Sequence, residues 1–491
     1  MWISALLIGL GIPSISKALA LIASLFGLVP LILSNKSYPI KTRFFRAAIC
    51  FTIAYAIQLF WFLSHPFLYI YPAWMLLSLS LGIQMAIPIS LLSVERLKSY
   101  GFCALAALLA VIIEYLRLYF FCGYSLYPLG ISLAGFTPSR LSLIYLGTGG
   151  LTFIVVFSQA LLARWKISKS GLGLFFMVAF LPYFGGLLAP HPKEAGSISV
   201  GIIDTNEMPE IVEKAAPLIK TAQENMQRLE TLSQKAAKEQ ISLILVPEIY
   251  VPFSPLALIY SGNTKCALDV ANEIVRSTNT TLIMGLEGRD QKNYYNSAYL
   301  ISPESDRLLR YDKQVLVPLG EYIPFKFLEP LLYVYGITGA FTHGQEPILF
   351  PYKQYTIAPS ICYEETFPNI IIKQKRMGAD LLVNLSNDNW FPSSRLKEDH
   401  FEHARLVSTA LGCPLVRATN MGFSSAVDVN GNLIPMKEIA KIEETRLLSA
   451  LVPIQTRTTP FQRIGIEGAI GILALFTLAL SLKRSPCSKK L

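Results

Sequence analysis

Cys362 lies in Ser360-Ile361-Cys362-Tyr363-Glu364-Glu365, directly after the apolar, strand-like run 355–358. Upstream stand Glu248, in Leu245-Val246-Pro247-Glu248, and Lys313, in Tyr311-Asp312-Lys313. A cysteine attacks a carbonyl as its thiolate, so it needs a base within hydrogen-bond reach. A glutamate whose pKa is raised by an apolar pocket can take that proton and later return it to a leaving group. A lysine can hold the thiolate and the tetrahedral oxyanion by charge, with the backbone N–H of Tyr363 as a second oxyanion donor. Singly, each residue has an ordinary explanation: a small buried thiol, a turn carboxylate, a solvated surface charge. Together, in the order Glu, Lys, Cys, they can form one acyl-transfer site of base, charge stabiliser and nucleophile.

Elements of a layered fold must position these groups. Runs 197–203, 241–246, 281–285, 298–301, 355–358 and 380–384 read as short strands, and 209–238, 269–277 and 398–412 as helices. Such alternation with buried strands predicts an α/β sandwich. Each candidate residue then falls at a strand end or in the following loop, where sites of layered folds tend to lie. Stretches 249–260 and 323–341 are rich in Pro, Leu, Tyr and Phe with few charges. They read either as buried packing or as apolar loops that touch a bilayer and admit an acyl chain.

The remainder of the 491 residues is apolar: 52% of the chain is hydrophobic and only 15% charged. Spans of about 20 apolar residues are expected at 16–34, 44–64, 68–93, 100–122, 141–163, 170–189 and 466–482, with a shorter run at 2–13 making eight. The domain organisation expected is a transmembrane domain at 1–190, a catalytic domain at 191–465, a membrane helix at 466–482 and a basic tail at 483–491. Residues 191–465 hold 27 Lys+Arg and 30 Asp+Glu, and the rest 16 and 3, so the net +10 comes from membrane-flanking loops. That distribution argues against nucleic-acid binding. Lys36, Lys41, Arg43 and Arg46 follow the second run, Arg96 and Lys98 the fourth, Arg164, Lys166 and Lys169 the sixth. The positive-inside rule then puts both termini in the cytoplasm and residues 191–465 outside. Glu114 and Arg117, three apart, read as a self-neutralising pair near the outer interface with Arg117 snorkelling.

Other chemistry has less support. Seven cysteines at 50, 103, 122, 266, 362, 413 and 487 form no CxxC pair. His400, Glu402 and His403 lack the HExxH spacing of a zinc site and are expected on a solvated helix face. Gly422-Phe423-Ser424-Ser425-Ala426 lacks the second glycine of a serine-hydrolase elbow. No cofactor or metal is expected.

Pro247-Glu248, Asp312-Lys313 and Cys362-Tyr363-Glu364 resemble the Glu-Lys-Cys triad segments of the nitrilase (carbon–nitrogen hydrolase) superfamily, which implies an αββα sandwich for 197–450. More narrowly, Val317-Pro318-Leu319-Gly320-Glu321-Tyr322-Ile323-Pro324 and Asn384-Leu385-Ser386-Asn387-Asp388-Asn389-Trp390-Phe391 are similar to motifs of the bacterial apolipoprotein N-acyltransferase family. Gly123-Tyr124-Ser125, Gly149-Gly150-Leu151 and the arrangement of spans agree. The chain departs from that pattern at Val246, often Trp, and at Asn389, usually Ala. The resemblance implies catalysis by Glu248, Lys313 and Cys362, with Glu321 supporting the lysine, and Tyr363 and Glu364 flanking the nucleophile and shaping an acyl pocket. It implies transfer of an acyl chain from a phospholipid, through a thioester, to the α-amine of the N-terminal diacylglyceryl-cysteine of apolipoproteins. It further implies a monomer in the bacterial inner membrane with its catalytic domain on the periplasmic face. The rival readings are a membrane-anchored nitrilase-type amidase acting on small amides, and a transporter or scaffold without catalysis.

Overall fold

The computed structural model describes residues 1–119, 123–206, 215–251, 258–260, 263–333 and 341–482. The chain divides into two compact units: 1–191 with 409–411 and 458–491, and 192–408 with 412–457.

The first unit is helical. Among the described residues, five helical stretches are long and apolar enough to cross a membrane: Lys17–Asn35, Ile40–Ser64, Ile70–Ser90, Leu143–Ser168 and Pro460–Leu482. Tyr100–Leu116 and Leu172–Leu187 are shorter apolar helices. The run expected at 2–13 is helical only over Trp2–Leu10, roughly 14 Å at 1.5 Å per residue and so short of a ~30 Å hydrocarbon core. The C-terminal helix packs on Tyr100–Leu116 and Leu143–Ser168 within this unit. Phe476 sets its ring 5.9 Å from Phe153 and 6.1 Å from Phe157.

The expected Glu114–Arg117 pair is not what holds these two side chains. Glu114 accepts from the Leu129 N–H at 2.7 Å and from Thr152 Oγ1 at 2.6 Å. Arg117 donates to Gln84 Oε1 at 2.9 Å and Tyr55 Oη at 3.0 Å. Both are buried, so Arg117 does not snorkel. The physical reason is the short 3-10 segment Leu129–Leu133, whose free amides need an acceptor that no sequence spacing announces.

The second unit is built on one twelve-stranded sheet. Its strands, with a separate two-stranded ribbon β3–β4, are β1 (Lys193–Thr205), β2 (Leu243–Val246), β3 (Leu258–Tyr260), β4 (Asn263–Lys265), β5 (Thr281–Arg289), β6 (Tyr294–Ser302), β7 (Ser305–Asp312), β8 (Phe350–Tyr352), β9 (Tyr355–Ile361), β10 (Leu381–Asn387), β11 (Leu415–Asn420), β12 (Ser425–Val427), β13 (Lys437–Ile442) and β14 (Thr445–Thr456). The order is β7-β6-β5-β2-β1-β11-β10-β9-β8, with β14 antiparallel to β1. The central pairings β1–β2, β2–β5, β10–β11 and β9–β10 are parallel. Parallel strands covered on both faces read as continuous apolar runs, and Leu243-Ile244-Leu245-Val246 is buried throughout.

The two halves of the sheet face each other. One core cluster joins Val200, Leu245 and Ile283 from one half to Ile357, Ile361, Val383 and Val416 from the other. A second cluster covers the outer face of the first half with Met226 and Leu229 of helix Ala215–Lys238 and Val270 and Ile274 of helix Ala267–Thr278. Helices Pro368–Arg376 and Leu396–Leu411 complete the α-β-β-α order. Of the apolar stretch 249–260, Tyr250 and Val251 belong to the core, while 252–257 lie outside the described residues. Of 323–341, Phe325, Phe327 and Tyr333 are exposed, and 334–340 lie outside them, as does the basic tail 483–491.

Candidate active site

Three strand ends bring the candidate residues together. Glu248 follows β2 after Pro247, Lys313 follows the last residue of β7, and Cys362 follows the last residue of β9. The Lys313 N–H donates to the Asn296 carbonyl at 2.9 Å, and its carbonyl accepts from the Gly344 N–H at 2.7 Å. The lysine is therefore fixed by its backbone before its side chain is considered.

Its ammonium is nearly inaccessible and touches two carboxylates. Lys313 Nζ lies 3.1 Å from Glu248 Oε1 and 2.9 Å from Glu321 Oε1. Burial alone would lower the lysine pKa, but Glu248 and Glu321 outweigh it and hold the ammonium well above its ordinary value. Lys313 is thus a fixed cation and not a base. Glu321 is oriented by the Val317 N–H, which donates to its second oxygen at 2.7 Å. For Glu248, burial dominates and raises the carboxyl pKa; Lys313 opposes and Glu321 adds to the rise.

Asn296, which the sequence did not single out, completes the cluster. It is fully buried on β6, and its Nδ2 donates to Glu248 Oε1 and to Glu321 Oε1, each at 2.6 Å. The only local signal was a polar residue on the inward face of a strand that otherwise buries Ala298 and Leu300. Gly285, on the adjacent β5, is required by space: a Cβ there would stand 2.5 Å from the Pro247 carbonyl oxygen and 2.6 Å from Glu248 Cα.

Cys362 is a half-buried free thiol in the left-handed region, at φ +54°. For a side chain with a Cβ this conformation costs on the order of 1–3 kcal/mol and persists only where surroundings enforce it. The enforcement is visible. Glu364, two residues on and fully buried, accepts from the Ile361 N–H at 3.1 Å with one oxygen. With the other it accepts from the Gln314 and Val315 N–H groups at 2.7 and 3.2 Å. Glu364 therefore ties the Cys362 turn to the loop that begins at Lys313. It is sealed from solvent. Asn384 Nδ2 holds the Cys362 carbonyl at 2.9 Å. Tyr363 packs edge-on against Phe367, ring centroids 4.8 Å apart.

The thiol is electrostatically part of the Glu-Lys-Glu cluster. Burial raises its pKa, the Glu248 charge raises it further, and Lys313 pulls it down, with Asp388 and Glu321 as lesser influences. It is protonated at rest, beside a carboxylate able to take that proton and a cation able to hold the resulting anion. His400 and His403 are not on a solvated face: both are buried, and His400 meets Asp388 and Glu365.

Comparisons with known proteins identify the family. Residues 214–457 match the carbon–nitrogen hydrolase family, and residues 4–161 the apolipoprotein N-acyltransferase N-terminal domain. The apolipoprotein N-acyltransferase of Shewanella oneidensis is 34% identical over 45% of this chain and 44% of its own length. That of Chlamydia caviae is 31% identical over 78% of this chain and 76% of its own. The chain belongs to the apolipoprotein N-acyltransferase family. Membership makes it an acyltransferase with a nitrilase-like C-terminal part, and it fits the apolar helices of the first unit. Among solved structures, an amidase from Nesterenkonia sp. aligns over 54% of this chain and 93% of its own, at 15% identity and a TM-score of 0.37.

Proposed function

We propose that the protein carries out a two-step acyl transfer in which Cys362 is the nucleophile, Glu248 the general base and acid, and Lys313 the oxyanion stabiliser. The observation that carries this reading is the buried Glu248–Lys313–Glu321 cluster, bridged by Asn296, within electrostatic reach of a strained thiol. In the first step Glu248 takes the Cys362 proton and the thiolate attacks an ester carbonyl of a phospholipid. The oxyanion is held by the Lys313 ammonium and the Tyr363 N–H. As the carbon–oxygen bond breaks, Glu248 returns the proton to the departing lysophospholipid alkoxide, leaving a thioester on Cys362.

In the second step the neutral α-amine of a diacylglyceryl-cysteine at a lipoprotein N-terminus attacks the thioester. Its proton passes to Glu248 and on to the Cys362 sulfur as the carbon–sulfur bond breaks. Glu321 and Asn296 hold Lys313 and Glu248 in register throughout. The catalytic segment is 191–465, between the spans of 1–190 and the helix 466–482, on the periplasmic side of the inner membrane. The loop-charge asymmetry supports that orientation.

The test is to incubate the purified full chain with phospholipid labelled in its acyl chains. Wild type takes up a hydroxylamine-sensitive label and Cys362→Ala does not; an unlabelled wild type contradicts the reading. Hydrolysis of small soluble amides without an acylated enzyme would instead favour an amidase.

A further inference from the structure

Behind Cys362 lies a second buried charge cluster that the two steps above do not use. Glu365, in the same 3-10 turn as Cys362, is 3% exposed, and its Oε1 accepts from Arg417 Nε at 2.8 Å. The same oxygen faces His400 Nε2 at 3.1 Å. The other ring nitrogen, Nδ1, lies 3.0 Å from Asp388 Oδ1. Four ionisable side chains thus form a line, Asp388–His400–Glu365–Arg417, and each is less than a twentieth exposed. They come from four elements: the end of β10, helix Leu396–Leu411, the Cys362 turn and β11.

Burying four such groups is costly, and an ion pair of this kind is weak grounds for stability, since apolar side chains of equal volume often serve as well. Its arrangement suits a positional task. Arg417 also donates to the Phe423 carbonyl at 3.1 Å, so the guanidinium fork fixes β11 and the following loop around Glu365. Asp388 is fixed by Ser386 Oγ at 3.2 Å and its N–H by the Asn420 carbonyl at 3.0 Å. Carboxylate oxygens flank both ring nitrogens: Nδ1 is in hydrogen-bonding geometry to Asp388, while Nε2 lies at ion-pair distance from Glu365 but outside hydrogen-bonding geometry. Acidic and basic side chains thus alternate along the line.

We propose that Asp388, His400, Glu365 and Arg417 form a strut that positions Cys362 and keeps the nearby Asp388 carboxylate paired. Glu364 restrains the turn from the Lys313 side and Glu365 from the opposite side. The strut supplies the second of two anchors that hold a left-handed cysteine against its preference. The pairing matters to the thiol, because Asp388 is among the groups that disfavour the Cys362 thiolate. The groups facing His400 are Asp388, Glu365 and, beyond Glu365, Arg417. His403, on the same helix, is neutral, since burial and then the His400 charge press its pKa down to about 3.

The inference rests on Cys362 being the nucleophile, and its test separates the two. The full chain is compared as wild type, His400→Gln, Glu365→Gln and the isosteric Asp388→Asn in two assays. In single-turnover acylation by labelled phospholipid, His400→Gln and Glu365→Gln are expected to lose about 10- to 100-fold in rate, the cost of a small misplacement, with half-saturation by phospholipid unchanged. In alkylation of Cys362 by iodoacetamide, the pH profile of His400→Gln moves to higher pH because Asp388 loses its histidine partner, and that of Asp388→Asn moves to lower pH. A purely structural role moves the melting temperature but neither the profile nor the ratio of rate to half-saturation. Folded variants that acylate and alkylate as wild type does overturn the strut. So does loss of folding in all three, which would make the line a stability element. An unlabelled wild type overturns the nucleophile assignment itself.

Discussion

At the scale of residues, the division of labour follows from which group burial affects and in which direction. Lys313 keeps its charge because two carboxylates outweigh its desolvation, whereas Glu248 and Cys362 are both pushed toward their protonated forms. Glu248→Gln preserves shape and removes the proposed base, so the acylation rate is expected to fall about 100- to 10,000-fold with Cys362 still present, as a stopped acylation assay would read. The sign of the pH response follows. The first step needs Glu248 ionised, and its carboxyl titrates above the usual glutamate range. The acid limb of the acylation rate therefore lies at higher pH than an exposed glutamate would give, and activity is lost as pH falls through that raised value. A limb at the ordinary glutamate pKa counts against Glu248. Gly285→Ala places a methyl against the Glu248 backbone. It is expected to depress acylation far more than it lowers the melting temperature, because the displaced group is the proposed base.

At the scale of elements, the critical piece is the turn Cys362–Thr366 and the two glutamates that hold it. Glu364 accepts three backbone N–H groups, and leaving such buried donors unpaired costs about 1–3 kcal/mol each. Glu364→Ala is expected to lower the unfolding midpoint and abolish acylation together. Glu364→Gln keeps part of the acceptor capacity and should retain folding, as thermal denaturation followed beside acylation would show. The turn also shows what the sequence could and could not convey. The runs within β2, β5, β9 and β10 were legible because buried parallel strands leave continuous apolar stretches. Strand β7, Ser-Asp-Arg-Leu-Leu-Arg-Tyr-Asp, and strand β13, Lys-Glu-Ile-Ala-Lys-Ile, were missed because charges interrupt them. Glu248 and Cys362 stood out because each follows an apolar strand run, whereas Lys313 follows the missed β7 and was picked out by its place in the Glu, Lys, Cys order. Asn296, and the partnership of Glu365 with His400 and Arg417, were not legible, because each depends on residues tens of positions apart meeting across strands. Likewise His400 and His403 were read as solvated because a helix of low apolar content does not announce which of its polar residues turn inward.

At the scale of the whole molecule, the basic residues of the apolar segments predict a side of the membrane for residues 191–465, and existing thiols can test it. In a Cys362→Ala background, Cys266 is half-exposed on that segment, while Cys487 sits in the basic tail. A membrane-impermeant maleimide applied to spheroplasts is expected to label Cys266 and not Cys487; the reverse pattern would invert the orientation. Apolar surroundings also matter to the chemistry, since a thioester survives to meet an amine only where water is kept from it. The most direct measurement of the central claim is intact mass analysis of the Cys362 peptide before and after an acceptor is added. The full chain is first incubated with phospholipid, then given a peptide bearing an N-terminal diacylglyceryl-cysteine. The account predicts one acyl mass on Cys362 that disappears on addition of the peptide as an N-acylated peptide appears in equal amount. An acyl group found on another residue, or discharged as free fatty acid with no N-acylated peptide formed, would contradict it.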